Sequence, residues 1–138
     1  MRFWDSSAIV PLVIAEPQTS RMSELLAEDP DAYIWMLTPV EIASAIWRRL
    51  RESQENEIGR SAETLLVAAV SLFEQVKAVS DVADVARVLI ARHPLTAADA
   101  LQLAAAIVAR ENKPDLQFVT LDNRLADAAR AERFVVLP

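Results

Sequence analysis

The sequence predicts an α/β fold in which a mostly parallel sheet is covered by helices on both faces. Short apolar runs typical of buried strands alternate with longer segments that have helical periodicity. Parallel neighbouring strands require crossover connections of this kind. The chain also has one glycine among 138 residues, far below the usual share of about 7%. Helices should therefore dominate, and a glycine-rich phosphate loop is excluded.

The N-terminal segment predicts a strand followed by a capped helix. The apolar run over residues 2–4 ends at Asp5-Ser6-Ser7, whose small polar side chains can accept hydrogen bonds from the first free amides of a helix. Pro11 is expected within about the first turn of this helix, where a missing amide hydrogen costs least. Glu16-Pro17 should end it, and residues 18–27 should form a second helix.

A second strand is predicted over residues 32–37 (AYIWML), and a capping signal follows it. Thr38, Pro39 and Glu41 match a capping box with proline at the first helical position, and this helix should run to about Glu52. Residues 51–60 (RESQENEIGR) are polar and predict an exposed loop between two helices.

The second half of the chain repeats this alternation. The predicted elements are a helix over 58–75, a strand over 76–79, helices over 81–91 and 97–110, a strand over 116–120, a helix after Asp122 and an edge strand over 134–137. Thr96 should open the helix over 97–110, and Lys113-Pro114 should close it. His93-Pro94 should end the preceding helix, with His93 acting as a charge partner of its C-terminus.

Composition excludes several classes of protein. The chain has no cysteine and one histidine, which excludes a disulfide framework, a thiolate nucleophile and a histidine-rich metal site. The most apolar segment, 95–109, is shorter than the roughly 20 residues of a membrane span, and no apolar signal run follows Met1. The expectation is a single cytoplasmic domain over residues 1–138. A net charge of −6 argues against a non-specific nucleic-acid coat protein but not against a nuclease.

Four acidic residues are predicted to meet at one edge of the sheet. Asp5 and Asp122 directly follow predicted strands, and Glu41 and Asp99 lie in the first turns of helices. Ligand sites in open parallel sheets form outside the carboxyl ends of the strands. Clustered carboxylates need a proton or a cation among them, and oxygen ligands favour Mg²⁺ or Mn²⁺. Because these ions polarise phosphoryl groups and activate water, the pattern predicts metal-dependent phosphoryl chemistry.

Each of these acids also has a structural explanation. Asp5 and Asp122 can serve as helix N-caps, and Glu41 can complete the capping box. Asp99 is harder to explain in this way, because an unpaired carboxylate on so apolar a helix is costly to bury. Two other functions stay open: a non-catalytic α/β interaction module, and a phosphotransfer domain with Asp5 as the nucleophile.

Four segments that contain these acids resemble the motif blocks of PIN domains. FWDSSAIVPL, LTPVEIASAIWR, LTAADALQLAAA and FVTLDNRLADAA stand in the order and spacing of that family, and the VapC toxins of toxin–antitoxin pairs are the members they resemble most. The resemblance covers residues 3–136. It implies a three-layer α/β/α sandwich and an Mg²⁺- or Mn²⁺-dependent endoribonuclease that hydrolyses RNA phosphodiester bonds. It also implies a homodimer held inactive by a cognate VapB-type antitoxin.

Site residues are carried over from the resemblance position by position. The implied metal-binding and catalytic quartet is Asp5, Glu41, Asp99 and Asp122. Ser6 and Thr120 match small hydroxyl positions beside the first and last acids, where they should orient carboxylates or a metal-bound water. Gln102 departs from the family, which often has a histidine there.

Arg48 or Arg124 is predicted to contact substrate phosphate. Arg48 follows Glu41 by seven residues and so lies on a similar helix face, and Arg124 closely follows Asp122. Apolar helix faces over residues 9–14 and 43–47 are compatible with a dimer interface or an antitoxin groove, but a buried core needs the same residues. Trp47 would be an anchor for such a partner if it is exposed.

Overall fold

Strands and helices alternate along the chain in the computed structural model, which describes residues 1–53 and 58–138. The elements of the described residues are β1 (Arg2–Trp4), α1 (Ser6–Val13), α2 (Thr19–Glu28), β2 (Ala32–Trp35), α3 (Thr38–Ser53), α4 (Ile58–Val70), β3 (Glu74–Val76), α5 (Val79–Arg92), α6 (Ala97–Arg110), β4 (Gln117–Val119), α7 (Asn123–Ala131) and β5 (Val136–Leu137). No helix in this part of the chain is long and apolar enough to cross a bilayer.

The five strands form one parallel sheet in the order β3-β2-β1-β4-β5. β1 is central, with Phe3 opposite Tyr33 of β2 on one side and Phe118 of β4 on the other. Trp4 is opposite Val119, so β1 and β4 end at the same level. The predicted parallel sheet is confirmed, and β5 lies at an edge as expected.

Helices cover both faces of the sheet, which makes the fold a three-layer α/β/α sandwich. Successive strand side chains point to opposite faces. Phe3 and Phe118 accordingly belong to a core cluster with α5, α6 and α7, whereas Trp4 and Val119 belong to a second cluster with α1 to α4. On the first face the rings of Phe3 and Phe118 stack with their centroids 5.6 Å apart.

Two predictions about the first helix are wrong. α1 begins at Ser6, directly after the strand, so Pro11 is its sixth residue rather than part of its first turn, and the helix ends at Val13, before Glu16-Pro17. Its start is early because the Asp5 side chain already accepts from the backbone N of Ser7. α3 ends at Ser53 and α4 begins at Ile58, as predicted to within one residue, so both helices overlap the predicted loop over 51–60, whose centre, 54–57, lies outside the described residues.

The edge strand β3 also lies earlier than the sequence predicts. It spans Glu74–Val76 and pairs with Tyr33–Trp35 of β2. The first two of these residues were predicted to end a helix, and only Val76 was predicted to lie in the strand. Glu74 and Gln75 are exposed. An edge strand needs backbone pairing on one side only and can carry polar side chains, so its apolar signal is weak.

His93 connects the end of α5 to the end of α7. Its Nε2 lies 2.8 Å from Oε1 of Glu132, and Arg92 approaches the same oxygen at 3.3 Å. The hydrogen bond from His93 is the main reason that the pKa of Glu132 lies below its usual value. Arg92 lowers this pKa further, whereas burial acts in the opposite direction. The sequence indicated a helix-end role for His93 but not this carboxylate partner.

We expect Glu132→Gln to lower the free energy of unfolding by about 1 kcal/mol near neutral pH, because the change removes a charge-assisted hydrogen bond. A lowered pKa in the folded state contributes stability above the unfolded value of 4.5, and that stability is lost as pH falls through the folded value. Urea unfolding near neutral pH and at about pH 3 measures the difference. A deficit that stays constant across this range would contradict the assignment.

Candidate active site

One cleft lies beyond the carboxyl ends of β1 and β4, between the first turns of α3 and α6. Its volume is about 760 Å³. The residues that line it are Ser6, Val40, Glu41, Ser44, Ala45, Arg48, Thr96, Asp99, Asp122 and Arg124. Three of the four predicted acids and both predicted arginines thus lie on one surface, and the fourth acid, Asp5, lies beneath it.

Asp5 is held at the junction of β1 and β4. Its backbone N donates to the carbonyl of Val119 at 3.0 Å. Its side chain is only 2% exposed, and Oδ2 accepts from the backbone N of Ser7 at 3.1 Å, from the Ser7 hydroxyl and from Oγ1 of Thr120 at 3.0 Å. Burial raises the pKa of Asp5, the nearby charge of Asp99 adds to the rise, and the bonds from Ser7 and Thr120 oppose it. Asp5 is therefore rigidly oriented and costly to ionise without a cation.

Ser6 lies between two of the acids. Its Oγ is 3.0 Å from Oε2 of Glu41 and 3.3 Å from Oδ1 of Asp5. The single hydrogen of this hydroxyl can be donated to either carboxylate, so Ser6 links the two acids. Thr120 has a similar arrangement, because its Oγ1 donates to Asp5 and accepts from the backbone N of Asp122 at 3.1 Å. The two predicted hydroxyl residues therefore contact the acids beside them.

The predicted capping box at Glu41 is wrong. Thr38 lies inside α3, and its hydroxyl bonds to the side chain of Gln102, 64 residues away in sequence, at 3.0–3.1 Å. The Glu41 carboxylate contacts Ser6 and lines the cleft. Burial raises the pKa of Glu41, and the charges of Asp5 and Asp99 add to the rise, while Gln102 and Ser6 lower it. Glu41 thus has no capping role to explain its presence.

Asp99 and Asp122 lie in the cleft and also interact with helix starts. Oγ1 of Thr96 caps α6 by accepting from the backbone N of Asp99 at 3.2 Å, and it donates to Oδ2 of Asp99 at 2.7 Å. Oδ1 of Asp122 caps α7 by accepting from the backbone N of Leu125 at 3.0 Å. The structural explanation for Asp122, and likewise for Asp5, is therefore correct. Both caps follow strand ends; Asp122 also lines the cleft, and Asp5 lies beneath it.

Ser7 is the residue that sequence reasoning missed. Its hydroxyl donates to Asp5, accepts from the backbone N of Leu121 at 2.9 Å and lies 3.3 Å from Oγ1 of Thr120. It therefore fixes the loop that carries Asp122 relative to Asp5. The only sequence signal was its position beside Ser6, because the contact joins residues 114 apart.

The donor set fits a hard divalent cation in its chemistry. Among the described residues, no three Asp, Glu, His or Cys side chains already form an arrangement that could hold a metal ion. The acids are nevertheless close enough for Asp99 to raise the pKa of both Asp5 and Glu41. A bound cation would relieve that repulsion, and carboxylate oxygens are the ligands that Mg²⁺ and Mn²⁺ prefer.

The family model described as the PIN domain matches residues 2–131. The chain belongs to the PIN domain family. No curated protein sequence gives a significant match to this PIN domain.

Three solved structures resemble this PIN domain in fold. PAE2754 from Pyrobaculum aerophilum is 22% identical, with a TM-score of 0.67 over 98% of this chain and 87% of its own. A toxin–antitoxin complex from Klebsiella pneumoniae is 18% identical, with a TM-score of 0.63 over 100% and 97%. FitAcB from Neisseria gonorrhoeae is 17% identical, with a TM-score of 0.59 over 100% and 97%. At these identities the likenesses establish the shared α/β/α architecture.

Proposed function

We propose that this PIN domain is an Mg²⁺- or Mn²⁺-dependent endoribonuclease and the toxin of a VapBC-type toxin–antitoxin pair. The observation that carries the proposal is the single cleft lined by Glu41, Asp99 and Asp122, with Asp5 joined to it through Ser6. The acids come from four separate segments of the chain. Their convergence on one surface has no explanation in capping alone.

Asp5, Glu41, Asp99 and Asp122 would hold the cation. When bound, a divalent ion supplies Lewis-acid polarisation of a phosphodiester and a lowered pKa for a coordinated water. The protein's own contribution is orientation: Ser7 and Thr120 hold Asp5 in one position, and Ser6 holds Glu41 beside it. Outer hydrogen bonds of this kind fix the direction of ligand oxygens.

No observation favours the phosphotransfer alternative with Asp5 as the nucleophile. Oδ2 of Asp5 accepts three hydrogen bonds, and its other oxygen, Oδ1, lies 3.3 Å from the Ser6 hydroxyl, which also contacts Glu41. The remaining oxygen thus lies on the side of the other acids.

RNA and an acidic antitoxin segment would each be attracted to the arginines of the cleft. Of the two apolar helix faces that the sequence suggested for a partner, the one on α3 is the more exposed. Ile9, Val10 and Val13 of α1 are buried in the core, whereas Leu12 and Ile14 are only partly buried, so most of the apolar face over 9–14 packs inside the protein. Trp47 of α3 is 39% exposed and Val40, beside Glu41, is 66% exposed. These residues support an antitoxin site on α3, in keeping with the toxin–antitoxin complex among the similar folds.

A homodimer is also proposed. Measurement of the molecular mass of the protein in solution tests this proposal.

The deciding experiment is cleavage of single-stranded RNA by antitoxin-free protein with Mg²⁺ or Mn²⁺. We expect cleavage that a chelator abolishes and that Asp99→Asn reduces by about 100- to 1000-fold, the scale of losing one preorganised electrostatic group. Asp84→Asn is the matched control, because Asp84 pairs with Arg87 on the exposed side of α5. Equal cleavage by the wild type and Asp99→Asn would refute the nuclease proposal. A protein that binds the cation but cleaves no RNA would favour the non-catalytic interaction module.

Arg48 and Arg124 are proposed to contact substrate phosphate, since both line the cleft with the acids. Replacing both with Ala should weaken RNA binding and reduce the slope of log K against log salt by about 0.7 for each phosphate that the protein no longer neutralises. The matched control replaces Arg49 and Arg130, which lie on the same helices and pair with Glu16 and Asp127. If the two double variants show the same affinity and salt slope, the cleft arginines have no special role.

A further inference from the structure

A buried polar pair joins the two helices that supply Glu41 and Asp99. The side chains of Thr38 on α3 and Gln102 on α6 are both 0% exposed. Nε2 of Gln102 lies 3.0 Å from Oγ1 of Thr38, and the hydroxyl lies 3.1 Å from Oε1 of Gln102. A buried amide or hydroxyl costs free energy unless it is hydrogen-bonded, so the contact matters to both residues. Gln102 also acts on the Glu41 carboxylate, whose pKa it lowers.

The pair spans two layers of the sandwich. α3 contributes Ile42 and Ile46 to the core on one face of the sheet, whereas α6 contributes Leu103 and its neighbouring alanines to the core on the other face. The two helices therefore do not share a hydrophobic core. The Thr38–Gln102 contact is a specific polar link between the N-terminal parts of these two helices.

The pair also lies in register with the acids. Thr38 precedes Glu41 by three residues and Gln102 follows Asp99 by three residues, and positions three apart in a helix lie on the same side. A shift of either helix start would therefore move its carboxylate relative to the other. Because the Gln102 amide is uncharged, it links the helices without adding a charge beside the acids.

We propose that the Thr38–Gln102 hydrogen-bonded pair is a positioning device that sets the separation of Glu41 and Asp99 and thereby the cation affinity of the cleft. This inference rests on the proposed metal-dependent function. Both residues act through the carboxylates rather than on the substrate, so they are positioning residues. Their removal should affect cation binding more than an equally destabilising change elsewhere in the core.

The test is the dissociation constant for Mn²⁺, measured by titration calorimetry on metal-free protein. Gln102→Leu and Thr38→Val should each weaken Mn²⁺ binding by about 10- to 100-fold, as is usual when a group that orients a ligand is removed. The double variant should lose less than the product of the two single losses, because neither partner is then left unsatisfied. Thr38→Ser keeps the hydroxyl and should stay within about threefold of the wild type.

Leu103→Val is the control for general destabilisation. Leu103 is buried on α6 next to Gln102 but belongs to the apolar core. Its replacement should lower the melting temperature without changing the Mn²⁺ dissociation constant. If the wild type binds Mn²⁺ and the Gln102 and Thr38 variants bind it equally well, this inference is wrong and the proposed function stands. If the wild type binds no Mn²⁺, both proposals fail.

Discussion

Asp5→Asn is expected to stabilise the metal-free protein and to abolish its metal-dependent RNA cleavage. Burial raises the pKa of Asp5 and the charge of Asp99 raises it further, so the ionised carboxylate opposes folding at neutral pH. The three bonds to Oδ2 come from donors, and an asparagine that places its oxygen there keeps them. Its amide then takes the position of Oδ1, beside Ser6, where a cation ligand is proposed.

The stabilisation should depend on pH with a definite sign. A folded pKa above the unfolded value of 3.8 means that the contribution of Asp5 to stability is fully present below that value and is lost as pH rises through the folded pKa. The gain from Asp5→Asn should therefore be largest near neutral pH and shrink on acidification. We expect a gain of about 1 kcal/mol, or about 4 °C in melting temperature for a domain of this size, together with a loss of cleavage of about 100- to 1000-fold.

Asp29→Asn is the matched control, and we expect it to change the stability of the metal-free protein in the opposite direction. Asp29 accepts a hydrogen bond from the N-terminal amino group, which is the main cause that lowers its pKa, and it lies outside the cleft. Its replacement should destabilise the protein near neutral pH and leave cleavage unchanged. If Asp5→Asn destabilises the metal-free protein as Asp29→Asn does, the carboxylate of Asp5 is a structural cap and not a destabilised ligand.

The elements that sequence patterns located well are those whose signal is local. β1, β2 and β4 have apolar residues on both faces because helices cover both sides of the sheet, and Thr96 and Asp122 cap helices from the positions that local chemistry predicts. The predicted position of β3 was too late in the chain because this edge strand carries polar residues such as Glu74 and therefore has a weak apolar signal. A local sequence pattern predicts which hydrogen bonds a side chain can form, but not which of the possible partners it binds in the folded protein.

Sequence patterns also predicted the residues of the candidate site better than the contacts between them. The four acids could be named from strand ends, helix starts and the family resemblance, and three of them line the cleft with Asp5 beneath. Thr38 had a local capping role available, but its partner is Gln102 in another layer of the fold. Ser7 contacts a loop 114 residues away. Contacts between distant segments depend on tertiary packing, which periodicity does not encode.

Mn²⁺ is expected to stabilise the wild type by about 2.7 kcal/mol at a concentration 100 times its dissociation constant. The cation would bind the ionised carboxylates, and Asp5 and Glu41 must therefore lose their protons first. Because burial and the neighbouring acids raise the pKa of both groups, a larger share of each is protonated in mildly acidic solution than for an ordinary carboxyl. The Mn²⁺-induced rise in melting temperature should therefore be large near neutral pH and decline as pH falls.

Glu41→Gln separates this effect from non-specific binding of Mn²⁺ to an acidic protein. The amide keeps an oxygen that can accept from Ser6 but removes one charge from the cleft, so the Mn²⁺-induced rise in melting temperature should fall sharply. Glu24→Gln removes the same charge from α2, where Glu24 pairs with Arg21 on the surface, and should leave the rise unchanged. A rise that is independent of pH, or that is equal in the two variants, would show that Mn²⁺ binds elsewhere. A rise that only Glu41→Gln loses would identify the cleft as the cation site, because both variants carry the same net charge.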